Sequence, residues 1–262
     1  MLYENESRYV EPAKLSKKVS ALGLASGGGY AIATTRTKSF PMMPAGTALL
    51  ARCARMGSST WSDAIDSLGI AGVVQGIPQR SGEGVIAGFA TTVRHIVGPL
   101  GRFDRADFAA GELVAAAGPG RVLMVDMGGA AVSTFGGLAA FAAKRRQAAG
   151  VVIDGGCRDL DEIGGTGLWL ASRSVTPVTG KTRLKLEAFG EQVSIGGVCV
   201  NENDLVVGDS TGIVVVPRAD IARVLEAAER ILGIDLAVEH AIREGKTFGE
   251  AAAAANYIPA RK

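Results

Sequence analysis

The sequence predicts a mixed α/β fold centred on a strand–helix–strand unit with parallel strands. Two short apolar runs, VLMVD (residues 122–126) and VVID (151–154), lie close to glycines, as is typical of buried strands. The alanine-rich segment between them, residues 138–149, has the composition of a helix. Strand, glycine turn, helix and strand in this order indicate a βαβ unit.

Periodicity and turn signals predict the elements outside this unit. Segments 46–56, 58–70 and 104–117 are predicted to be helical, and the β-branched residues 84–97 favour a strand. Short strands separated by turns are predicted at 172–180, 182–188, 193–200, 205–209 and 212–217.

The C-terminal segment is predicted to be helical. Two separate helices are expected, over residues 219–232 and 236–244. Thr247 and Glu250 form a T-x-x-E capping box, which predicts that a third helix begins there. Near the N-terminus, residues 13–24 are predicted to form a short amphipathic segment.

Length, composition and charge restrict the class of protein. With 262 residues and 47% hydrophobic content, the chain can bury a full core as one domain with extensions. A Lys+Arg count of 28 against an Asp+Glu count of 26 gives a net charge of +2, which argues against nucleic-acid binding. No apolar stretch approaches ~18 residues and the N-terminus lacks the apolar core of a secretory signal, so neither a membrane span nor export is expected.

Cysteine and histidine usage restricts the chemistry. The three cysteines, Cys53, Cys157 and Cys199, fit neither a disulfide framework nor a CxxC metal site, and they indicate a reducing cytoplasm. The two histidines, His95 and His240, cannot supply a three-histidine zinc site within one chain. If a metal is bound, we expect oxygen ligands and therefore Mg²⁺ or Mn²⁺.

A glycine pair lies where the helix of the βαβ unit should begin. The first N–H groups of a helix have no partner within it and carry partial positive charge. Gly136 and Gly137 would let a carboxylate or phosphate approach these groups closely. The alternative is structural, since glycines also permit tight packing of a helix on a sheet. A nucleotide-binding role is disfavoured because the GxGxxG spacing and a P-loop lysine pattern are both absent.

A carboxylate-rich loop follows the second strand. The segment DGGCRDLDE, residues 154–162, carries Arg158 and Asp159 at the strand end where ligands of α/β proteins tend to bind. Asp159 is a candidate ligand for a hard cation, and Arg158 offers a planar fork for a carboxylate or an enolate oxygen. Because the parallel strands of a βαβ unit end at the same edge, Gly136 and Gly137 are predicted to share one cleft with this pair.

The run FGGLAAFAAKRRQAAGVVIDGGCRDLDEI (135–163) resembles the RraA-like family, named after the regulator of ribonuclease activity A. Supporting segments in the same order are TWSDAIDSLG (60–69), RVLMVD (121–126), SVTPVTGK (174–181), VSIGGVCVNENDLVVGD (193–209) and GIVVVP (212–217). The family includes 4-hydroxy-4-methyl-2-oxoglutarate aldolases and 4-carboxy-4-hydroxy-2-oxoadipate aldolases. The resemblance indicates a catalytic domain at 48–232, an N-terminal extension at 1–47 and a C-terminal helical extension at 233–262.

This resemblance implies a swivelling β/β/α sandwich that assembles as a homotrimer or homohexamer, with active sites between subunits. It also implies a class II, divalent-metal pyruvate aldolase or oxo-acid decarboxylase that acts on a small 2-oxo (di)carboxylic acid. By resemblance, Asp159 binds the metal, Arg158 faces the pyruvate moiety, and the amides of Leu138 and Ala139 contact it. The aldolases have an Asp that holds a water on the metal at the position of Gly137, so this chain lacks one of three motif residues.

The missing carboxylate leaves two reactions open, retro-aldol cleavage and oxaloacetate decarboxylation, which give the same pyruvate enolate. Retro-aldol cleavage needs a base, and Asp63 or a residue of a neighbouring subunit is a candidate to replace the carboxylate. The alternative from a different class is a non-catalytic regulator that binds a ribonuclease or another protein. The Arg158–Asp159 pair favours the enzyme, because the resemblance implies that the regulators lack this pair.

Other charged residues have mainly structural interpretations. Lys181, Arg183 and Lys185 are predicted to lie on one face of a strand, either as a solvated basic face or as a contact for the distal acid group of a substrate. Asp209 is interpreted as a turn former, and the basic run 144–146 as the coat of a helix end.

Overall fold

The structure is a computed structural model that describes residues 44–257 as a mixed α/β fold. The strands of this part are β1 (Gln79–Ser81), β2 (Ile86–Val97), β3 (Arg121–Asp126), β4 (Ser133–Phe135), β5 (Gly150–Cys157), β6 (Leu170–Val175), β7 (Leu184–Phe189), β8 (Val193–Ile195), β9 (Val198–Val200), β10 (Leu205–Gly208) and β11 (Ile213–Val216). The helices are α1 (Pro44–Cys53), α2 (Ser58–Ser67), α3 (Ala110–Ala115), α4 (Gly137–Arg145), α5 (Leu160–Thr166), α6 (Ile221–Arg243) and α7 (Phe248–Ala254).

The described strands form a nine-stranded sheet and a separate β8–β9 hairpin. The main order is β1–β6–β5–β3–β2–β10–β11, with β4 paired to β5 and β7 paired to β2. At the centre, β2, β3, β5 and β6 run parallel, and antiparallel strands continue the sheet on both sides. The predicted βαβ unit is confirmed, since β4 and α4 connect the parallel neighbours β3 and β5.

The central strands are buried on both faces. Leu123 and Val125 of β3 belong to the core on the side of the sheet that α4 and α5 cover. Val122 and Met124 point to the opposite side and pack with residues of β8 and β9, because successive side chains of a strand alternate between faces. Every residue of β5 is buried. Burial on both faces explains why VLMVD and VVID are continuous apolar runs rather than alternating ones.

A second layer of helices covers the β10–β11 hairpin. Buried residues of α1, α2 and α6 form one cluster with apolar residues of these two strands. Trp61 of α2 is fully buried in this cluster, and its indole N–H donates to the carbonyl oxygen of Cys53 over 3.3 Å. This cluster is distinct from the core beneath α4 and α5.

Two predicted helical regions differ from the structure. The two C-terminal helices are one continuous helix, α6, which passes through Gly233. Val224 before the glycine and Val238 after it are both buried, and this packing outweighs the roughly 1 kcal/mol that glycine costs in a helix. Segment 104–117 contains a 3₁₀ turn and the short helix α3, separated by Ala109 with a φ of 43°.

The described residues include the last predicted helix but not most of the N-terminal extension. The capping box before α7 is confirmed, since Thr247 and Glu250 each accept a hydrogen bond from the backbone N–H of the other. The predicted amphipathic segment at 13–24, like most of the predicted extension 1–47, lies outside the described residues. The predicted domain boundaries stay predictions.

Within residues 44–257, no helix is both long enough and apolar enough to cross a membrane.

His95 is a buried histidine without a hydrogen-bonding partner. It lies on β2 opposite Leu186 of β7 and is 5% exposed. Neither ring nitrogen has a hydrogen-bonding partner among the described residues. Burial lowers the pKa of His95 to about 4, because the charged imidazolium would lose its hydration.

We expect the protein to lose stability as the pH falls from about 6.5 to about 4. Below pH ~6.5 the unfolded chain binds a proton at His95 that the folded protein does not accept until about pH 4. The contribution of His95 to the free energy of unfolding is fully present above pH ~6.5. It falls by on the order of 3 kcal/mol as the pH decreases to about 4. Urea unfolding of His95→Leu at several pH values should show a smaller pH dependence, whereas His240→Gln, at an exposed position, should behave as wild type. The same pH dependence in His95→Leu and wild type would contradict this assignment.

Candidate active site

The candidate site lies at the edge where β5 ends. Arg158 follows the last residue of β5, and its backbone N–H donates to the carbonyl oxygen of Phe135, the last residue of β4, over 3.0 Å. This bond brings the start of α5 beside the start of α4. The shared location that the βαβ unit predicted for Gly137 and Asp159 is observed, while the roles of these residues stay predictions.

Asp159 has a backbone conformation that few non-glycine residues adopt. Its φ of 59° and ψ of 48° lie in the left-handed region, which aspartate tolerates better than most residues. Although Asp159 is the N-cap of α5, its carboxylate accepts no capping hydrogen bond from that helix. Instead, Oδ2 accepts a hydrogen bond from the Gly137 N–H at the start of α4, over 3.2 Å. Unfavourable conformations of this kind cluster at functional sites.

Gly136 and Gly137 allow α5 to approach α4 this closely. A Cβ atom on Gly136 would lie 2.5 Å from Asp159 Oδ2 and 3.2 Å from Arg158 Nε. A Cβ atom on Gly137 would lie 2.6 Å from the Cβ of Glu162, in the first turn of α5. The packing of Glu162 therefore requires Gly137, and a side chain at Gly136 would displace the Asp159 carboxylate, so the structural explanation applies alongside the anion-binding one. Sequence reasoning placed Glu162 in the loop but did not identify this contact.

The first turn of α4 offers N–H groups at the same place. Asp159 accepts the Gly137 N–H, which leaves those of Leu138 and Ala139 as helix-start donors without a partner in the helix. Leu138 is 89% exposed, so the start of the helix is open to solvent. These donors and the positive end of the helix suit a small carboxylate.

Arg158 and Asp159 form a loose ion pair. Arg158 Nε lies 3.5 Å from Asp159 Oδ2, and each side chain is 39% exposed. Across residues 44–257, the Arg158 guanidinium donates no hydrogen bond and Asp159 Oδ1 accepts none. Such an exposed pair contributes only about 0–1 kcal/mol to stability. Both groups are therefore available to a ligand.

Two other aspartates at this edge are already bound. Asp154, which the loop sequence also offered, accepts from the Arg173 guanidinium through Oδ1 (2.5 Å) and Oδ2 (3.2 Å). Its Oδ2 also accepts the Gly196 N–H over 2.7 Å. Its neighbour across the sheet, Asp126, accepts the Ser194 N–H over 3.1 Å. Both aspartates thus hold the β8–β9 hairpin against the parallel strands.

Asp63 of the same subunit does not lie in this site. Asp63 lies on α2, whose buried residues pack with α1 and α6 on the β10–β11 hairpin, and burial, and next the charge of Asp63, raises the pKa of Asp235 on α6. The suggestion that Asp63 replaces the missing carboxylate is therefore wrong within one subunit. Asp209 is structural, as interpreted, since it accepts from both the N–H and the hydroxyl group of Ser58, each over 2.7 Å.

The three cations predicted on one strand face do not share a strand. Lys181 and Arg183 precede β7, and only Lys185 lies within it. The prediction was wrong because the chain turns at Thr182, which has a φ of 65° and interrupts the alternation of side chains. The Arg183 guanidinium donates to the carbonyl oxygen of Thr179 over 3.1 Å.

The basic run 144–146 does bind helix ends, although they are the ends of neighbouring helices. Lys144 donates to the carbonyl oxygen of Gly167 after α5 over 2.7 Å. Arg146 donates to the carbonyl oxygens of Ala115 and Ala117 at the end of α3. These bonds connect α4 to the two helices beside it.

The oxygen donors of the site fit a hard divalent cation that keeps several waters. In the part of the chain that the structure describes, no three or more His, Cys, Asp or Glu side chains come together as a metal cage. Asp159 offers an unengaged carboxylate oxygen, and Mg²⁺ or Mn²⁺ is commonly bound by one or two carboxylates and water. Asp159 is therefore the residue of this site that would hold such an ion.

The contact between Gly137 and Glu162 predicts a stability effect. Gly137→Ala should destabilise the protein by about 1–3 kcal/mol, the usual cost of overpacking, although alanine favours helices. In Gly137→Ala/Glu162→Gly the opposing Cβ is absent, so chemical denaturation should show that the two changes are not additive. Gly164→Ala in α5 is the matched control, since a Cβ there meets no atom within 4 Å and should be neutral or stabilising. Strictly additive losses would contradict the contact.

Comparison with a family model and with curated proteins indicates the family of this chain. Residues 58–215 match the family model described as RraA-like, Aldolase/RraA. The "Putative 4-hydroxy-4-methyl-2-oxoglutarate aldolase" of Halalkalibacterium halodurans is 30% identical over 129 residues, which are 49% of this chain and 61% of that protein. The chain spans 54% and 33% of two further curated relatives, from Methanocaldococcus jannaschii and Legionella pneumophila. It therefore covers less than two thirds of the length of these relatives.

Solved structures show the same fold. An "uncharacterized protein from Pseudomonas syringae pv. tomato str. DC3000" superposes with a TM-score of 0.68 at 27% identity, over 81% of this chain and 99% of that one. RraAS2 of Streptomyces coelicolor, described as an unusual member of the RNase ES inhibitor RraA protein family, superposes with a TM-score of 0.62 at 26% identity. That match covers 69% of this chain and 91% of the other. Since the matched family segment spans more than half of the sequence and includes the α4–α5 site, the chain belongs to the RraA-like family.

Proposed function

We propose that the protein is a metal-dependent lyase that cleaves a small 2-oxo acid and forms the enolate of pyruvate. The observation that carries the proposal is the meeting of Asp159, Arg158 and the first N–H groups of α4 at one open edge. Membership of a family with aldolase-named relatives supports this class of reaction. Retro-aldol cleavage and oxaloacetate decarboxylation both break the C3–C4 bond and leave the same enolate, so both belong to the proposal.

Each group of the site has one task in this proposal. The N–H groups of Leu138 and Ala139 bind the carboxylate of the substrate at the positive end of α4. The Arg158 guanidinium stabilises the negative charge that develops on the enolate oxygen. Asp159, oriented by the Gly137 N–H, would hold Mg²⁺ or Mn²⁺. A divalent cation bound there supplies Lewis-acid polarisation of the keto group.

Asp159→Asn should remove divalent-cation binding without unfolding the protein. Asparagine keeps the acceptor for the Gly137 N–H and tolerates the left-handed backbone, so the fold should be retained. Titration of Mn²⁺ by electron paramagnetic resonance should show a more than tenfold loss of affinity, because removing even a neighbour of a metal ligand costs about 10–100-fold. Asp161→Asn, which removes a charge from the same helix start, is the control. Unchanged Mn²⁺ affinity in Asp159→Asn would contradict this role.

Arg158→Ala should act mainly on the transition state. Loss of one group that stabilises developing negative charge typically lowers kcat by about 10²–10³-fold. Arg158→Lys keeps the charge but loses the planar fork, so its kcat should lie between those of wild type and Arg158→Ala. Steady-state kinetics on oxaloacetate provide the measurement. A rise in KM with kcat unchanged would instead make Arg158 a residue that binds substrate and transition state equally.

We also propose that the protein acts as a homotrimer or homohexamer whose neighbouring subunit completes the site. The support is an exposed apolar pair on α4, since Leu138 and Phe141 are 89% and 56% exposed and lie one turn apart beside the site. Static light scattering should give a mass of three or six chains. A fully active monomer would contradict the proposed assembly.

A further inference from the structure

Retro-aldol cleavage needs a group that takes the proton of the substrate hydroxyl, and the site described so far has none assigned to this task. We propose that Glu162 is this proton acceptor. The inference rests on the proposed function, since it concerns the same site and the same reaction. It is carried by the packing of Glu162 on Gly137 and by the bonds that occupy the other candidate bases.

The Glu162 side chain leaves α5 directly beside the start of α4. Its Cβ and Cγ lie 2.6 and 3.3 Å from the position that a Cβ of Gly137 would take, and the Asp159 Cβ lies 3.7 Å from it. A Cβ of Gly137 would contact both side chains, so Asp159 and Glu162 both border the N–H groups where the substrate carboxylate is proposed to bind. Glu162 is exposed, and its carboxylate takes part in no hydrogen bond or ion pair with other residues in 44–257.

Other candidate bases of the described chain are occupied, lie elsewhere or, like Asp161, are not among the nearest atoms to a Cβ built on Gly136 or Gly137. Asp154 and Asp126 are bound by the backbone and guanidinium contacts given above. Cys157 is buried against Ser172, and burial raises the pKa of its thiol, which disfavours the thiolate. His240 lies on α6, where its Nε2 is 3.4 Å from a carboxylate oxygen of Glu244.

His95 and Asp63 are also unsuitable as the base. His95 is buried within β2, and Asp63 faces the α6 helix in the other helical layer. Among the described residues, Glu162 is thus the unengaged base whose side chain contacts the glycine turn.

The proton transfer balances without a further reactant. Glu162 takes the proton of the C4 hydroxyl as the C3–C4 bond breaks, and the electron pair of that bond goes to C3. C4 becomes a carbonyl carbon, so the products are the enolate of pyruvate and a second carbonyl compound. The proton then moves from Glu162 to C3, which gives pyruvate and restores the carboxylate. Oxaloacetate decarboxylation releases CO₂ and needs no such acceptor, because its leaving carboxylate is already ionised at neutral pH, and the enolate that remains takes its C3 proton from water.

This difference gives a test in which one enzyme is assayed on two substrates. Glu162→Gln keeps the size of the side chain and removes the base. Turnover of 4-hydroxy-4-methyl-2-oxoglutarate should fall about 10²–10⁴-fold, while oxaloacetate decarboxylation should change by less than about threefold. Asp161→Asn is the matched control, because it removes the same charge one position away, rotated by ~100° around the helix. It should leave both rates unchanged.

The possible outcomes separate the inference from the function on which it rests. Equal losses on both substrates in Glu162→Gln, or no loss on either, would overturn the role of Glu162 and leave the lyase function intact. A wild-type protein that releases pyruvate from neither substrate would overturn the proposed function itself, and this is measured before any variant is made.

Transfer of the carboxylate to α4, the position of the aldolase Asp, tests whether an acidic group at this contact supports retro-aldol turnover. Gly137→Asp/Glu162→Gly removes the opposing Cβ and puts an acidic side chain on the facing helix. Because displacement by ~1 Å can cost about 10²-fold, we expect partial recovery, about tenfold over Glu162→Gly alone in retro-aldol turnover. No recovery in a double variant that retains wild-type Tm and decarboxylation would contradict the placement of the base at this contact.

Discussion

The hydrogen bond from the Gly137 N–H to Asp159 Oδ2 is the contact on which the candidate site depends. It joins the first turn of α4 to the N-cap of α5, where Gly136 leaves room for Asp159 Oδ2 and Gly137 leaves room for the Cβ of Glu162. Asp159 adopts a left-handed backbone to make this contact and leaves its own helix without a side-chain cap. The bond fixes one carboxylate oxygen and leaves the other open, beside the Arg158 guanidinium, which donates no hydrogen bond within residues 44–257.

The carboxylates near this contact form two groups, those within the parallel strands and those that follow β5. Those within the parallel strands, Asp126 and Asp154, bind backbone N–H groups and an arginine, and so hold the β8–β9 hairpin in place. Those that follow the strand, Asp159 and Glu162, lie at the open start of α5. Because β5 is buried along its whole length, the loop that leaves it starts from a rigid element, as precise positioning of a site requires.

The strands and their common edge were predictable because continuous apolar runs and glycine turns are local signals. The conformation of Asp159 was not, since it depends on a partner 22 residues away. The pairing of Asp154 with Arg173, 19 residues apart, has no periodic signal either, although it removes a carboxylate that the loop sequence offers. Tertiary packing likewise carries α6 through Gly233, where local propensity predicted a break.

We propose that this edge of the sheet cleaves 2-oxo acids with the help of a divalent cation. The most direct measurement is pyruvate release from a panel of 2-oxo acids by EDTA-treated protein, with and without added Mg²⁺ or Mn²⁺. We expect pyruvate to be released from at least one compound, and we expect this release to require the cation. Full activity in EDTA, or no pyruvate from any compound with either metal, would contradict it.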